Sequence, residues 1–460
     1  MVDFRDNAVQ YAKNHAEQNL NTLVEFLKIP SVSTDPEHTE DMSTAANWLA
    51  GRLHGLNFSN IQIFPTAKHP VVFGEYIVSP SLPTVLVYGH YDVQPAEPLE
   101  LWQSPPYVPT RSGENLYARG ASDMKGQVVA SLSAVEAILK NGQSPVNLKY
   151  ILEGEEEIGS PNLPIFIREH KELLSCSFAL NPDSGMVAAD RPTIVYALRG
   201  VANFELRVYG PAHDLHSGIY GGVVHNPAIV ISDLISGMHD AQGRITLPGF
   251  YEKVQKLSET ERTSLNSLPM NDDFYIRNTG APELWGEEGF SVVERVGARP
   301  TLDVNGIYSG FTGVGQKTVI PAWAMAKISM RLVPNQDPKE VELQLRQYLN
   351  AHAPKTVKWE LITFKASEAC ISDVNHPAVK ALYQALATVW GSKPIYKREG
   401  GSIPVVLDLR KILGVESVLT GFGLPDDNLH APNEKLNLPN WYRGIEALIH
   451  FFYNLTGEKV

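Results

Sequence analysis

The sequence predicts an α/β protein whose mostly parallel, helix-covered sheet is interrupted by an inserted α+β block. Three observations carry this. Short apolar runs alternate with helical patterns from about residue 60 to 196. Near residue 197 the apolar runs give way to strict two-residue alternation, the mark of half-exposed strands. After about residue 372 the first texture returns. The expected domains are therefore 1–196 and 373–460, together forming one α/β domain, and 197–372 inserted between them.

The elements follow in order. Tyr11, Leu20, Leu23, Val24 and Leu27 lie at near-helical spacing. Met42, Ala46, Leu49, Leu53 and Leu56 repeat at steps of four and three, which predicts a second helix. Pro30 and "STDPEHTED" separate the two. "NIQIFPT", "VVFGEYIV" and "TVLVYGHYD" read as strands. "MKGQVVASLSAVEAILKNG" reads as a helix with a Val128, Leu132, Val135 and Leu139 stripe, ending near Gly142. "VNLKYILEGEEE" and "CSFALNPDSG" are two further apolar runs. In the inserted block, "ANFELRVYG" turns Phe204, Leu206 and Val208 inward and Glu205 and Arg207 outward. "WAMAKISMRLV" turns Ala326, Ile328, Met330 and Leu332 inward. "NPAIVISDLISGM" and "PKEVELQLRQYLNAH" supply its helices. "HPAVKALYQALATVWG", "ESVLTGFG" and "NWYRGIEALIHFFYNL" close the chain as helix, strand and helix. Residues 255–300 are polar and show no clear period.

Composition narrows the function. The net charge is −12, which disfavours nucleic acid or an anionic membrane as the main partner. Cys176 and Cys370 are too few and too far apart for a disulfide framework or a thiolate zinc site, and are expected as buried free thiols. The first twenty residues lack an apolar core of signal length, and no later run reaches the roughly 18 apolar residues of a membrane span. A cytoplasmic protein is expected.

In open α/β sheets ligands bind at the carboxyl ends of the strands. Here those ends carry titratable groups. "TVLVYGHYD" ends in His90 and Asp92, "KYILEGEEEIGS" in Glu155, Glu156 and Glu157, and "FALNPDSG" in Asp183. "SVLTGFGLPDDNLH" runs on to His430, and Asp123 precedes a helix. Singly these have ordinary readings: a hydrogen-bonded surface histidine, a solvated acidic turn, a helix N-cap. Together they place two imidazoles and several carboxylates on one rim. Like charges near 4 Å repel by about 4 kcal/mol at an effective dielectric of 20. Cations relieve that, and histidine with carboxylate but no cysteine suits a catalytic zinc site with open positions.

"GHYDVQP", "LYARGASDMKG", "EGEEEIGS", "NPDSG", "DLHSGIYGG", "RLVPNQ", "GGSIP" and "NLHAPNEK" run in order from about residue 84 to 436. In them the chain resembles the aminoacylase, carboxypeptidase G and succinyl-diaminopimelate desuccinylase superfamily of two-zinc metallopeptidases. Within it, the chain is most similar to the branch of cytosolic nonspecific dipeptidase and carnosinase. The resemblance implies a zinc-peptidase-like catalytic domain and a ferredoxin-like lid that also dimerises. It implies two Zn²⁺ per subunit, with Mn²⁺ or Co²⁺ acceptable to the same ligands. His90, Asp123 and Asp183 would hold one ion, and Asp123, Glu157 and His430 the other. Glu156 would be general base and acid, and Asp92 would orient His90. A cis peptide would follow Asp123. His216 would stabilise the oxyanion, in its own or the neighbouring subunit of a homodimer. Arg331, Ser402 and Gly401 would hold the substrate's terminal carboxylate, with Thr318 as a further contact.

Alternatives stay open at this point. His213 and His225 are neighbours that rival His216, and Arg331 is equally read as a solvated arginine. A one-residue shift along the three glutamates would move both roles assigned there. The expected reaction is hydrolysis of dipeptides or short peptides. The runner-up is an N-acyl-amino-acid amidohydrolase, against which "GHYDVQP" and the long insertion speak. A binding protein that had lost catalysis would lack metal ligands, and none is missing.

Overall fold

The computed structural model describes residues 4–401 and 403–456, with Lys365 by its backbone alone. It divides into two compact units. One contains the chain up to Tyr196, Ser372–Lys397 and the chain from Ile403 onward. The other contains Ala197–Ile371 and a short turn beginning at Arg398, so part of the stretch expected in the first domain groups with the insertion.

In the first unit the Thr84–His90 strand is buried from Val85 to His90. Apolar residues at successive positions fill both faces, as a doubly covered strand requires. It runs parallel to Asn147–Glu153 on one side and Phe178–Asn181 on the other. Ser417–Leu419 continues the parallel set. Val71–Tyr76 and Ser59–Phe64 extend the sheet antiparallel, which makes it mixed. The register pairs His90 with Glu153, Val85 with Phe178 and Ala179 with Ser417. All four carboxyl ends thus reach the same edge.

Helices cover this sheet. Thr39–Gly55 buries Met42, Ala46, Leu49 and Leu53, as its spacing predicted. Lys125–Asn141 is buried on nearly every side. Pro377–Trp390 starts under a His376 cap, whose Nδ1 accepts the Ala378 N–H at 3.2 Å. Leu438–Asn454 buries Trp441, Ile445, Leu448 and Phe452 in the same core.

In the second unit the four main strands and the helices Pro227–Ser236 and Pro338–His352 follow the order βαββαβ, with shorter elements between them. Gly200–Tyr209, Thr301–Ser309, Trp323–Leu332 and Lys358–Ser367 form an antiparallel sheet. Trp323–Leu332 and Gly200–Tyr209 lie in its centre, a ferredoxin-like arrangement. Phe204, Leu206, Val208, Ala326, Ile328, Met330 and Leu332 form its core with Val230, Ile231 and Leu234 of Pro227–Ser236 and Leu345 of Pro338–His352. Glu205, expected to face solvent, is buried. Arg207 donates to it at 2.7 Å and Lys327 lies 3.7 Å away, and these two cations offset the lost hydration.

The stretch without a clear period holds Glu259–Asn266, Asp272–Thr279 and Val292–Ala298, capped by Ser258, Asn271 and Ser291. Cys370 is buried as expected, Cys176 only partly, and neither is in a disulfide among the described residues.

Candidate metal centre

His90, Asp92 and Gln94 alternate along one extended segment, so all three side chains point to the same side. His90 is fully buried. Its Nδ1 lies 3.0 Å from the Asp92 carbonyl oxygen and 3.4 Å from the Asp92 carboxylate. With two acceptors there, Nδ1 carries a proton, which leaves Nε2 to face the rim. Nε2 lies 3.2 Å from Asp123 Oδ1 and 3.9 Å from Asp183 Oδ1.

Asp123 presents its other oxygen to a second imidazole: Oδ2 is 2.9 Å from His430 Nε2. That nitrogen is 3.3 Å from Glu157 Oε2, which also accepts Gln94 Nε2–H at 2.8 Å. His430 reaches the rim from a turn in which Asn428, His430 and Asn433 all take positive φ. Two triads result, His90–Asp123–Asp183 and Asp123–Glu157–His430. Within each, the ligand atoms lie inside 4.8 Å of one another. Asp123 belongs to both, and its peptide bond to Met124 is cis.

The three successive glutamates divide by environment. Glu155 turns away from the rim: its carboxylate accepts Thr66 Oγ1–H at 2.6 Å, the His69 N–H at 2.9 Å and the Asn162 amide. Glu156 and Glu157 begin a one-turn helix, and their N–H groups donate to the Asp92 carboxylate at 3.2 and 3.0 Å. Asp92 therefore ties His90 to both glutamates.

Electrostatics show what the cluster lacks. Burial, then Asp123 and Glu156, push Asp183 up to about 8. Burial, with Asp123 adding to it, pushes Glu157 up to about 9. The hydrogen bond that His430 donates to the Asp123 carboxylate raises His430 to about 9. Burial opposes ionisation of Asp123, yet His430 and His90 hold it well below the usual carboxylate range. At neutral pH the protein alone keeps protons on this rim. Divalent cations would displace those protons and neutralise the carboxylates. The residues fit such ions: imidazole and carboxylate donors, no thiolate, and one carboxylate shared.

Besides Gln94, one further partner went unnoticed in the sequence. Glu434 is buried and accepts four hydrogen bonds. Arg119 Nη1 donates at 2.7 Å, and the N–H groups of Gly120, Ser122 and Asp123 donate at 2.9, 3.0 and 3.1 Å. It holds the loop that carries Asp123. Its only signal was its place four residues after His430 in "NLHAPNEK".

This donor set on an α/β sheet edge accords with the comparisons with known proteins. The model for "Peptidase family M20/M25/M40" matches residues 86–454. The chain belongs to this peptidase family. It is 32% identical over 473 residues to the Cys-Gly metallodipeptidase DUG1 of Candida albicans, covering 94% of each chain. It is 30% identical over 470 residues to the human Beta-Ala-His dipeptidase, covering 98% of this chain and 92% of that one. Among solved structures it is similar to the M20 family metallo-carboxypeptidase Sso-CP2 of Sulfolobus solfataricus. The TM-score there is 0.86 and the identity 33%, over 96% of this chain and 99% of that one.

The remaining candidates of this M20 chain lie in the second unit. His216 is exposed, and its Nδ1 accepts the Gly218 N–H at 2.9 Å. The Thr318 carbonyl accepts the neighbouring Ser217 N–H at 3.0 Å, which puts Thr318 beside His216. His225 is engaged with Thr356 at 2.8 Å. Arg331 lies on the face of its strand away from the core, paired with Thr301 and Val201. Arg199, whose environment includes Arg331, donates its N–H to the Gly401 carbonyl at 3.1 Å. Ser402 lies outside the described residues. No described helix is long and apolar enough to cross a membrane.

Proposed function

We propose that the chain is a dinuclear metallodipeptidase. The observation that carries this reading is the joining of two ligand triads through Asp123, in a member of a peptidase family whose relatives above include named dipeptidases. In this reading His90, Asp123 and Asp183 hold one ion and Asp123, Glu157 and His430 the other. Zn²⁺ is the proposed metal, with Mn²⁺ or Co²⁺ compatible with the same donors. When bound, such a pair acidifies water and polarises a carbonyl.

The protein's own groups do the rest. Glu156 takes the proton of the attacking water and returns it to the leaving amine. Asp92 fixes the Glu156 and Glu157 backbone and holds the His90 tautomer. Gln94 orients Glu157 from behind. His216 is assigned to the oxyanion, in its own or a neighbouring subunit, and Arg331 to the terminal carboxylate, where a guanidinium fork offers two parallel donors. Ser402, Gly401 and Thr318 are further proposed substrate contacts. A homodimer through residues 197–372 and a cytoplasmic location complete the proposal.

A second reading, carboxypeptidase action on longer peptides, is favoured by the likeness to the Sulfolobus enzyme. The N-acyl amidohydrolase alternative draws no support from these relatives. One panel tests all three: Cys-Gly, β-Ala-His, tripeptides and tetrapeptides, and N-acetyl and N-succinyl amino acids. Dipeptides should turn over, chelator should abolish the activity, and Zn²⁺ or Mn²⁺ should restore it. Glu156→Ala should lower kcat by about 100-fold or more. Turnover of N-acylated substrates alone would sink the proposal. Stepwise trimming of tetrapeptides from the carboxyl end would move it to the second reading.

A further inference from the structure

Glu261 and Arg262 fall in the polar stretch without a clear period, and neither belongs to the metal rim or to the proposed substrate contacts. Both stand in the first turn of Glu259–Asn266, where the Ser258 hydroxyl accepts the Glu261 N–H at 3.2 Å. From this anchored turn the two side chains reach different partners. Arg262 gives Nε and Nη2 to the Glu294 carboxylate at 2.6 and 3.0 Å, which ties the helix to Val292–Ala298. Glu261 Oε1 accepts Arg398 Nε at 2.9 Å and Arg398 Nη2 as well. Arg398 is more than nine-tenths buried, and a buried guanidinium needs such a carboxylate.

Arg398 opens the turn that runs on through Gly400 and Gly401. This turn groups with the second unit, although the chain on either side of it groups with the first. Its contacts give the reason. Arg199 donates its backbone N–H to the Gly401 carbonyl at 3.1 Å and its Nε to the Gly400 carbonyl at 2.9 Å. Val292–Ala298 approaches almost backbone to backbone: a Cβ added at Gly297 would lie 2.7 Å from the Arg398 carbonyl oxygen, and one at Gly400 2.9 Å from Val296 Cγ1. Glu261 closes the clamp through Arg398. Arg331 lies in the same unit, close to Arg199. The described residues assigned to the substrate's terminal carboxylate, Arg331 and Gly401, are thus carried by one unit.

A carboxylate held by a guanidinium and by donors on a turn is recognised through hydrogen bonds that weaken steeply as distance and angle drift. The turn must therefore stay where the arginine can share its load. Glu261 is the part of the clamp that acts through a side chain alone, so it can be altered without disturbing a backbone contact. We propose that Glu261 and Arg398 are a positioning pair that holds the 398–401 turn in register and so sets the preference for substrates ending in a free carboxylate. This rests on the assignment of Arg331, Gly401 and Ser402 to that group. Neither member of the pair touches substrate in it.

The test uses the metal-loaded enzyme and one dipeptide in two forms, with a free carboxyl terminus and as the carboxyl-terminal amide. The parent should favour the free acid by about tenfold or more in kcat/KM, the scale of one lost charge-assisted contact. Glu261→Gln keeps an acceptor but removes its charge, and should shrink that preference by about fivefold or more, chiefly through a higher KM for the acid. For the amide, kcat/KM should stay within about twofold of the parent, and metal content should be unchanged. Arg398→Lys keeps the charge and loses the fork, and should move the preference in the same direction. A pair that served folding alone would depress both substrates together and leave their ratio intact. The proposal is overturned if the preference survives both substitutions, or if acid and amide decline in parallel. A parent that treats the two forms alike removes the carboxylate assignment and the proposal with it, whereas a parent with the preference and variants that retain it removes the positioning pair alone.

Discussion

Glu434 touches no proposed metal-ligand side chain, yet it should govern metal binding. Glu434→Gln keeps the shape and replaces one carboxylate oxygen by an amino group. Whichever way the amide turns, that group faces two donors: Arg119 Nη1 and the Gly120 N–H, or the Ser122 and Asp123 N–H groups. Two charge-assisted bonds are lost, each worth about 1.5–3 kcal/mol. Arg119, itself buried, also loses its carboxylate partner, and breaking such a pair costs about 3–5 kcal/mol. These overlap, so about 3–5 kcal/mol is the expected loss of folding stability. The loop relaxes where it carries Asp123, so affinity should fall for both ions together, by roughly 10–100-fold. Metal content at buffered free Zn²⁺, set beside urea unfolding, reads the two effects. Glu287→Gln is the control, because Glu287 holds Arg299 by two comparable bonds in the other unit. It should cost similar stability and leave metal affinity alone. If Glu434→Gln binds Zn²⁺ within about threefold of the parent, or if Glu287→Gln weakens metal binding equally, the reasoning fails.

Other outcomes follow from the same geometry. Asp92→Asn should weaken metal binding roughly tenfold or more, since it replaces the carboxylate that orders His90, Glu156 and Glu157; equilibrium dialysis reads this. At pH 7 the raised pKa values of Asp183, Glu157 and His430 mean that metal uptake should release protons. Calorimetry in buffers of different ionisation enthalpy would count them, and affinity should rise from pH 6 to 9. For the metal-free protein the sign is opposite. The folded state holds protons that the unfolded carboxylates and imidazole release at lower pH, so stability should fall as pH rises toward 8 to 9. A metal-free melting temperature that climbs over that range would contradict these assignments. Gly421→Ala should cripple metal binding and stability together, because a Cβ there would overlap the Ser184 carbonyl and push the loop that carries Asp183. Circular dichroism melts with metal analysis would show it.

Much of this was legible in the chain itself. The Thr84–His90 run is apolar at consecutive positions, so both its faces had to be covered, and its abrupt polar end had to lie at an edge. Phe204, Leu206 and Val208 alternate so cleanly that their sheet could be assigned one dry face. The three short helices between 259 and 298 were less readable. Each is one or two turns long, too short for a period, and announced only by capping residues such as Ser291 with Glu294. Glu205 misled because alternation reports side-chain direction and cannot report whether cations cover the outward face.

Sequence alone determined which residue types stand at each strand end, because the two-residue and 3.6-residue periods are local properties of the backbone. Tertiary structure alone decided which of them meet. Asp123 and His430 are separated by 307 positions, and Glu434 by 311 from the Asp123 N–H it accepts. Nothing local encodes those encounters. They arise because the parallel register brings four carboxyl ends to one edge, where burial makes every unpaired charge costly and so selects which oxygens face which nitrogens.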